Sequence, residues 1–407
     1  MSRALKKISI HTMYFLPEFG SAPILMNELA GYLAERGHAV EVMTTIPRPP
    51  HHLPYQGRLF VREDRNGFMA KRIMTNFTGN PLGRLMAWSL YTLASWINLF
   101  SIKRGDVLFL RLPPLQLGIT GILGRAWKGA PFVLNVQDIH PDLSIESGIL
   151  KNPLAIRLAQ GFEKWTYRHS PVIVVISEGF KRNLMAKGVP SEKIHVIPNW
   201  VDTDFLKPLP KKNHVSRKYG LDKEFVVLYS GTISISSNLA LERVLEAAKR
   251  LERVRDVMIV IVGDGLKKPS LEEKARALGL KNVVFLPFQP YADLPALLSS
   301  SDILLVPLDR EKSHLSVPSK LYNFMAAGRP ILGLADASSE VSDLIQSTRC
   351  GLCVEPDDSR AVAEAILKLK KAPTTARRLG ANGRKYAETI FAKNVVLKRY
   401  EELMESL

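Results

Sequence analysis

The stretch Pro318-Ser319-Lys320-Leu321-Tyr322-Asn323-Phe324-Met325-Ala326-Ala327-Gly328-Arg329-Pro330 sets a hydroxyl and a cation ahead of an amphipathic run closed by Gly-Arg-Pro. The pattern predicts a loop feeding a short helix, with Gly328 at its carboxyl cap and Pro330 stopping it. A helix start carrying Ser319 and Lys320 offers amides, a hydroxyl and a cation to a phosphate or diphosphate. An ordinary capped surface helix is the alternative. The apolar run Ile303 to Val306 just upstream would put this loop beyond a strand's carboxyl end, where open α/β sheets bind ligands.

A second group of chemical residues leaves another apolar run, in Asn135-Val136-Gln137-Asp138-Ile139-His140-Pro141-Asp142. A carboxylate beside an imidazole at a strand end suits acid/base work or the orientation of a hydroxyl. Asp138 lies nearer the strand end and is favoured over His140, and either can accept a hydrogen bond from a nucleophilic hydroxyl. Asp142 and Glu146 would bind acceptor hydroxyls or cap a helix. In the second half, Gly231 permits close backbone approach, and Ser230, Thr232 and nearby amides can hold phosphate oxygens. No GxxxxGK[ST] run exists, so the lysine and magnesium ligand of a P-loop nucleotidase are missing. Phe288 would stack on a base or pack in a core. Arg310 and Lys312 are candidates for neutralising a leaving-group phosphate.

These residues need strands and helices to hold them. Ile8 to Ile10, a helix over Ile24 to Arg36 with Leu25, Leu29 and Leu33 on one face, and Ala39 to Thr44 form a βαβ unit. Val107 to Leu110, Phe132 to Val136 and Val172 to Ile176 read as central parallel strands. The second half repeats the theme with Phe225 to Tyr229, Val257 to Val262, Val283 to Leu286, Ile303 to Val306 and Ile331 to Leu334. At 407 residues the chain suggests two domains. We place them at 1–205 and 206–378, with helices over 379–407 that return to the first.

Charge is uneven. Residues 1–200 hold 24 Lys+Arg against 13 Asp+Glu, a surplus of 11 out of the total +17. Such a surplus draws anions: nucleic acid, anionic lipid or a phosphorylated substrate. No RNA-binding aromatic motif or zinc finger accompanies it, so nucleic acid is the weaker partner. Cys350 and Cys353 are the two cysteines, too few for a structural metal site, and they point to a reducing compartment. No signal peptide is expected, because His11 and Thr12 interrupt the first apolar run. Leu85 to Phe100 is too short and too interrupted to span a bilayer. It reads either as a buried helix or as a monotopic face over 85–104. In the latter, Trp88, Tyr91 and Trp96 lie at interface depth and Arg84, Lys103 and Arg104 meet headgroups.

In this order and spacing, several pieces resemble a known pattern. They are Phe19-Gly20-Ser21-Ala22 with Asn27-Glu28-Leu29, Val196 to Asp202, Gly231-Thr232, Val262 to Gly265, Phe285-Leu286-Pro287, Ala292 to Pro295 and Pro318 to Pro330. Over nearly its full length the chain resembles the retaining glycosyltransferases of family 4, with the GT-B architecture of two Rossmann-like doubly wound domains facing across a cleft. Within that family it looks like enzymes of O-antigen, capsule or lipopolysaccharide synthesis that transfer N-acetylated aminodeoxy sugars, such as N-acetylfucosamine, from UDP. The resemblance implies a second domain that binds the UDP-sugar and a first that binds the acceptor, without cofactor or metal. Gly20 and Ser21 would approach the donor phosphate, while Ser319, Lys320 and Leu321 would lie near the diphosphate.

Three positions depart from the family. The second of its two glutamates is Asn323, which can still bond a ribose hydroxyl, and the first falls near Leu315. The Arg and Lys that follow the phosphate glycine are replaced by Thr232 and Ser236-Ser237. The usual strand-end histidine is Gln137, which leaves its work to Asp138 or His140. The expected acceptor is a polyprenyl-diphosphate-linked or other glycan, met at the anionic inner leaflet by a cytoplasmic, peripheral enzyme. A UDP-sugar 2-epimerase and a non-catalytic nucleotide-sugar-binding module are the other readings.

Overall fold

A computed structural model describes residues 5–18, 20–49, 51–75, 81–233, 238–310 and 318–407. Phe19, Ser236, Ser237, Lys312 and Leu315 lie outside the described residues. The chain divides into two units: residues 1–199 with 396–407, and residues 200–395.

The first unit runs β1 (Lys7–His11), α1 (Ser21–Glu35), β2 (Ala39–Thr45), β3 (Phe60–Arg65), β4 (Phe68–Ile73), α2 (Pro81–Asn98), β5 (Val107–Leu112), α3 (Leu117–Lys128) and β6 (Phe132–Val136). It continues through α4 (Asp142–Glu146), α5 (Pro153–His169), β7 (Val172–Val175), α6 (Glu178–Ala186) and β8 (Ile194–Val196). The strands order as β3-β4-β2-β1-β5-β6-β7-β8, parallel except for the antiparallel β3–β4 pair. All of β5 and β6 is buried, as expected of central strands covered on both faces. Leu25, Leu29 and Leu33 of α1 are buried on its inner face, joined by Met26 and Ala30. In α3 the inner face is made of Gly118, Gly121 and Gly124, where added Cβ atoms would come within 2.2, 2.5 and 2.5 Å of neighbouring side chains. Gly118 lets the helix lie close on Thr166 of α5, and Gly121 and Gly124 let it lie close on β5 and β6.

The second unit holds α7 (His214–Lys218), β9 (Phe225–Ser230), α8 (Asn238–Leu251), β10 (Val257–Val262), α9 (Lys268–Ala277), β11 (Val283–Leu286) and α10 (Leu294–Ser299). Then come β12 (Ile303–Pro307), α11 (Lys320–Ala326), β13 (Ile331–Leu334), α12 (Glu340–Thr348), β14 (Gly351–Val354), α13 (Ser359–Lys371) and α14 (Pro373–Thr389). Its all-parallel sheet orders as β11-β10-β9-β12-β13-β14, the Rossmann order 3-2-1-4-5-6. Successive residues of β9 serve opposite cores: Val226 and Leu228 pack with Leu304 and Phe324, while Val227 and Tyr229 pack with Leu241 and Ile259.

Two boundaries differ from the sequence expectation. The units divide between Asn199 and Trp200 rather than at 205/206, because Val201 already bridges Ala392 within the second unit. Residue 379 falls inside the continuous α14, whose Ala387 is buried in the second unit's core. Only residues from Val396 onward, in α15 (Lys393–Glu405), join the first unit.

Candidate active site

In the second unit the strand order reverses between β9 and β12, and a doubly wound sheet binds ligands outside the carboxyl ends at such a reversal. Leaving β9, Gly231 adopts φ of +150° and donates its amide to Val262 O at 3.0 Å. Gly263 packs so tightly beside it that a Cβ there would lie 2.0 Å from Gly231 O. Both positions therefore demand glycine. Lys320, the first residue of α11, reaches this turn: its Nζ donates to Tyr229 Oη at 3.1 Å and stands 4.3 Å from that ring's centroid. A Cβ on Gly231 would meet the same Nζ at 3.0 Å. Tyr229 Oη in turn donates to Thr232 O at 2.7 Å, fixing the exit of the turn. Gly231 and Thr232 thus cluster with Lys320, more than eighty residues away in sequence, whose half-buried ammonium has no ion pair among the described residues.

The other residues expected on this side fall differently. Ser319 occupies the cap position of α11 but makes no capping bond with its side chain. Leu321 is buried behind it and Asn323 is half-buried. Gly328 takes the left-handed conformation, with φ of +67°, that ends the helix. Phe288 is 56% exposed, so its ring is surface and not core. Arg310 does not stand free for a phosphate. Its guanidinium binds Asp336 at 2.7 Å, Glu355 at 2.7 Å and Asp357 at 3.0 Å, three carboxylates that already consume its charge.

In the first unit, Asp138 and His140 leave β6 together and line one narrow crevice, too tight in this structure for a water molecule, with Leu112, Pro113, Leu115 and Tyr167. Burial pushes the Asp138 carboxyl above its usual range, against the pull of the positive charges of Arg111 and His140. The His140 imidazole is pushed down by burial, against the field of Asp138. Its Nδ1 lies 3.1 Å from Ser144 Oγ, and its ring meets Trp88 edge-on at 5.8 Å. Asp142 is engaged elsewhere: Lys187 Nζ binds its carboxylate at 2.8 Å, so the acceptor role expected for it is taken by an ion pair. Glu146 is exposed at the end of α4. Gly20 and Ser21 are exposed at the amino end of α1, where no side chain caps the helix.

Three features escaped the sequence reading. The first is Arg111, buried on β5, whose signal was a charge in the middle of the apolar run Val107 to Leu112. The second is Tyr229, the seat for Lys320. The third is a chain of buried amides. Asn199 Nδ2 donates to Gln137 Oε1 at 2.9 Å, Gln137 Nε2 to Asn135 Oδ1 at 2.9 Å, and Asn135 Nδ2 to Tyr400 Oη at 3.0 Å. Gln137, standing where the resemblance expects histidine, is held at both ends of its amide. Tyr400 arrives on α15, which is clasped by His38: its Nε2 lies 3.4 Å from Glu401 and 3.5 Å from Glu405. His38 Nδ1 accepts the Lys6 amide at 3.3 Å, so Nε2 carries the proton and the clasp works as a donor between two carboxylates.

The α2 segment turns a different side outward than expected. Tyr91 is fully buried and donates to Met43 O at 2.7 Å, and Trp88 and Trp96 are half-buried, because this face packs on β1 and β2 through Ser95 and Asn98. Leu82, Ile97 and Phe100 are instead 66%, 70% and 73% exposed, with Leu85, Met86, Leu90 and Leu93 between them. Arg84, Lys103 and Arg104 are exposed. Among the described residues no helix is long and apolar enough to cross a membrane.

Residues 23–200 match the model of the Glycosyl transferase 4-like domain, and residues 211–386 match that of Glycosyl transferases group 1. WcaI of Escherichia coli (strain K12), named for glycosyl transfer in colanic acid biosynthesis, is 29% identical over 417 residues, covering 97% of this chain and 98% of that protein. WbjE of Pseudomonas aeruginosa, named as a glycosyltransferase, is 25% identical over 76% of this chain and 78% of its own. The crystal structure of Anabaena HepE in complex with UDP superposes with a TM-score of 0.74 at 17% identity, over 98% of this chain and 100% of that one. That likeness, with the two parallel-sheet units, makes the fold GT-B.

Proposed function

The chain belongs to the GT4-type glycosyltransferases of GT-B fold, and on that premise we propose that it moves a sugar from UDP to a lipid-linked glycan with retention at the anomeric carbon. The observation that carries the donor side is the Lys320 ammonium held against Gly231 at the reversal of the second sheet. A departing UDP gains negative charge as its glycosidic bond breaks, and a fixed cation beside a tight glycine turn stabilises that charge. The anomeric carbon loses the diphosphate oxygen and gains the acceptor oxygen on the same face, through an oxocarbenium-like species. Asp138 accepts the hydrogen bond of the attacking hydroxyl. Its raised pKa keeps it closer in basicity to that task than a solvated aspartate.

HepE was crystallised with UDP, and WcaI is named for colanic acid biosynthesis, which supports a UDP-sugar donor and a role in bacterial surface glycan synthesis. The sugar we assign is an N-acetylated aminodeoxy hexose, and the reaction is metal-independent. The exposed apolar side of α2, ringed by Arg84, Lys103 and Arg104, suits a peripheral seat on the anionic inner leaflet, where a polyprenyl-diphosphate-linked acceptor would be met. The deciding experiment incubates the full-length protein with several UDP- and GDP-sugars and a bacterial lipid-linked acceptor extract, following product mass. A UDP-sugar-dependent mass gain on the lipid-linked fraction supports the reading. Free epimerised sugar formed without acceptor, or donor binding without turnover, overturns it.

A further inference from the structure

Arg111 has no part in the reaction described above, yet the fold places it at some cost. It is 6% exposed, its Nε is shielded and has no hydrogen-bond partner, and it makes no ion pair among the described residues. On β5 it stands in register with Asn135 of β6, and Phe109, two residues back on the same face, meets the Tyr400 ring at 5.7 Å. The guanidinium therefore shares its side of the sheet with the amide chain of Asn135, Gln137 and Asn199. At the far end of that chain Asn199 Oδ1 is likewise shielded and unpartnered. The titratable groups facing Arg111 are Asp138 and the neutral phenols of Tyr400 and Tyr14, and the Asp138 carboxylate is not within ion-pair distance.

A buried cation without a partner is unfavourable, and replacing such a group by an apolar one of similar size is often neutral or stabilising. A fold that keeps it is holding a charge in readiness. The planar fork of a guanidinium matches an oxyanion with two parallel hydrogen bonds. We propose that Arg111 receives an oxyanion carried by the acceptor at the carboxyl end of β5, either a phosphate of its diphosphate carrier or the carboxylate of an acidic sugar. This rests on the reading that the first unit takes the acceptor. Anchored there, the acceptor is held beside Asp138.

The test uses the full-length protein saturated with UDP, with inorganic pyrophosphate and free glucuronate as separate probes in calorimetry and thermal unfolding. Wild type should bind one probe and gain Tm with it, and the probe that binds names the source of the oxyanion. Arg111→Met should weaken that binding about 10- to 100-fold, the range of a charge-assisted hydrogen-bonded pair. It should also match or exceed the wild-type Tm without probe, which a merely structural arginine would not allow. Arg111→Lys keeps the charge without the fork and should bind with intermediate affinity. UDP affinity should stay unchanged in both variants, which separates this site from the donor reading. Failure of both probes to bind wild type, or wild-type binding of either probe by Arg111→Met, overturns the assignment.

Discussion

Replacing Lys320 by Met keeps an unbranched chain of similar length against the Tyr229 ring and removes only the charge. The ammonium it removes lies 3.1 Å from Tyr229 Oη and 3.0 Å from the Cβ position of Gly231. A phosphate oxygen seated on that turn would stand about 4 Å from the charge, an interaction of about 4 kcal/mol at an effective dielectric of 20. Solvent reaches this half-buried site, so the net value falls to about 1.5–3 kcal/mol, as measured for hydrogen bonds to charged groups. The Kd for UDP should therefore rise about 10- to 150-fold in titration calorimetry. The decline of wild-type affinity with salt should flatten in the variant, because one screened charge pair is gone. Since the leaving group is more negative in the transition state than in the bound sugar nucleotide, kcat/KM should fall further than affinity for the UDP-sugar itself. A Kd within twofold of wild type, with turnover unchanged, would refute the claim that this ammonium meets the diphosphate.

Three further outcomes follow from the geometry. Asp138→Asn should lower turnover at least 100-fold while leaving UDP affinity within twofold, read by product mass and calorimetry, and full activity would move the role to His140. Burial lowers the His11 pKa from 6.5 to about 4, so the unfolded chain takes up this proton first. The corresponding stability is whole above pH 6.5 and is lost as pH falls to 4, about 3 kcal/mol in all; urea unfolding of wild type against His11→Gln should show the variant lacking that loss. Ile97→Asp with Phe100→Asp should abolish co-sedimentation with phosphatidylglycerol-containing vesicles and leave UDP binding intact, whereas binding equal to wild type would remove α2 from the membrane reading.

Much of this architecture could be read from apolar runs alone. The strands β1, β2, β5, β6, β7, β9, β10, β12 and β13 and the edge strand β11 coincide with the runs named from the sequence, the central ones because strands buried on both faces carry continuous hydrophobicity. The edge strand β3 was not readable, since its Val-Arg-Glu-Asp-Arg interior shows solvent the polar side that such runs lack. Lys320 and Gly231 were legible as residue types, and the sheet order supplies their proximity. Arg310 was misjudged because Asp336, Glu355 and Asp357 lie in later loops that only the fold brings to it. On α2 the inward side is polar, built on Tyr91, Ser95 and Asn98 against Ser9 and His11, so hydrophobic phase pointed the wrong way. Arg111 went unnoticed because the apolar run was closed at Leu110, one residue before it, whereas β5 continues through it to Leu112.

Residues 396–407 close the first unit, with Tyr400 plugged into the amide chain and Glu401 and Glu405 gripped by His38. During synthesis this piece emerges only after every residue of the second unit. Vectorial folding normally completes the amino-terminal body first. Here that body must wait, open at β6, while the later one matures, and Asn135 and His38 lack their contacts to Tyr400, Glu401 and Glu405 until residues 396–407 emerge. A premature stop near residue 395 would thus cripple the lobe encoded at the start of the message and spare the one encoded beside the lesion.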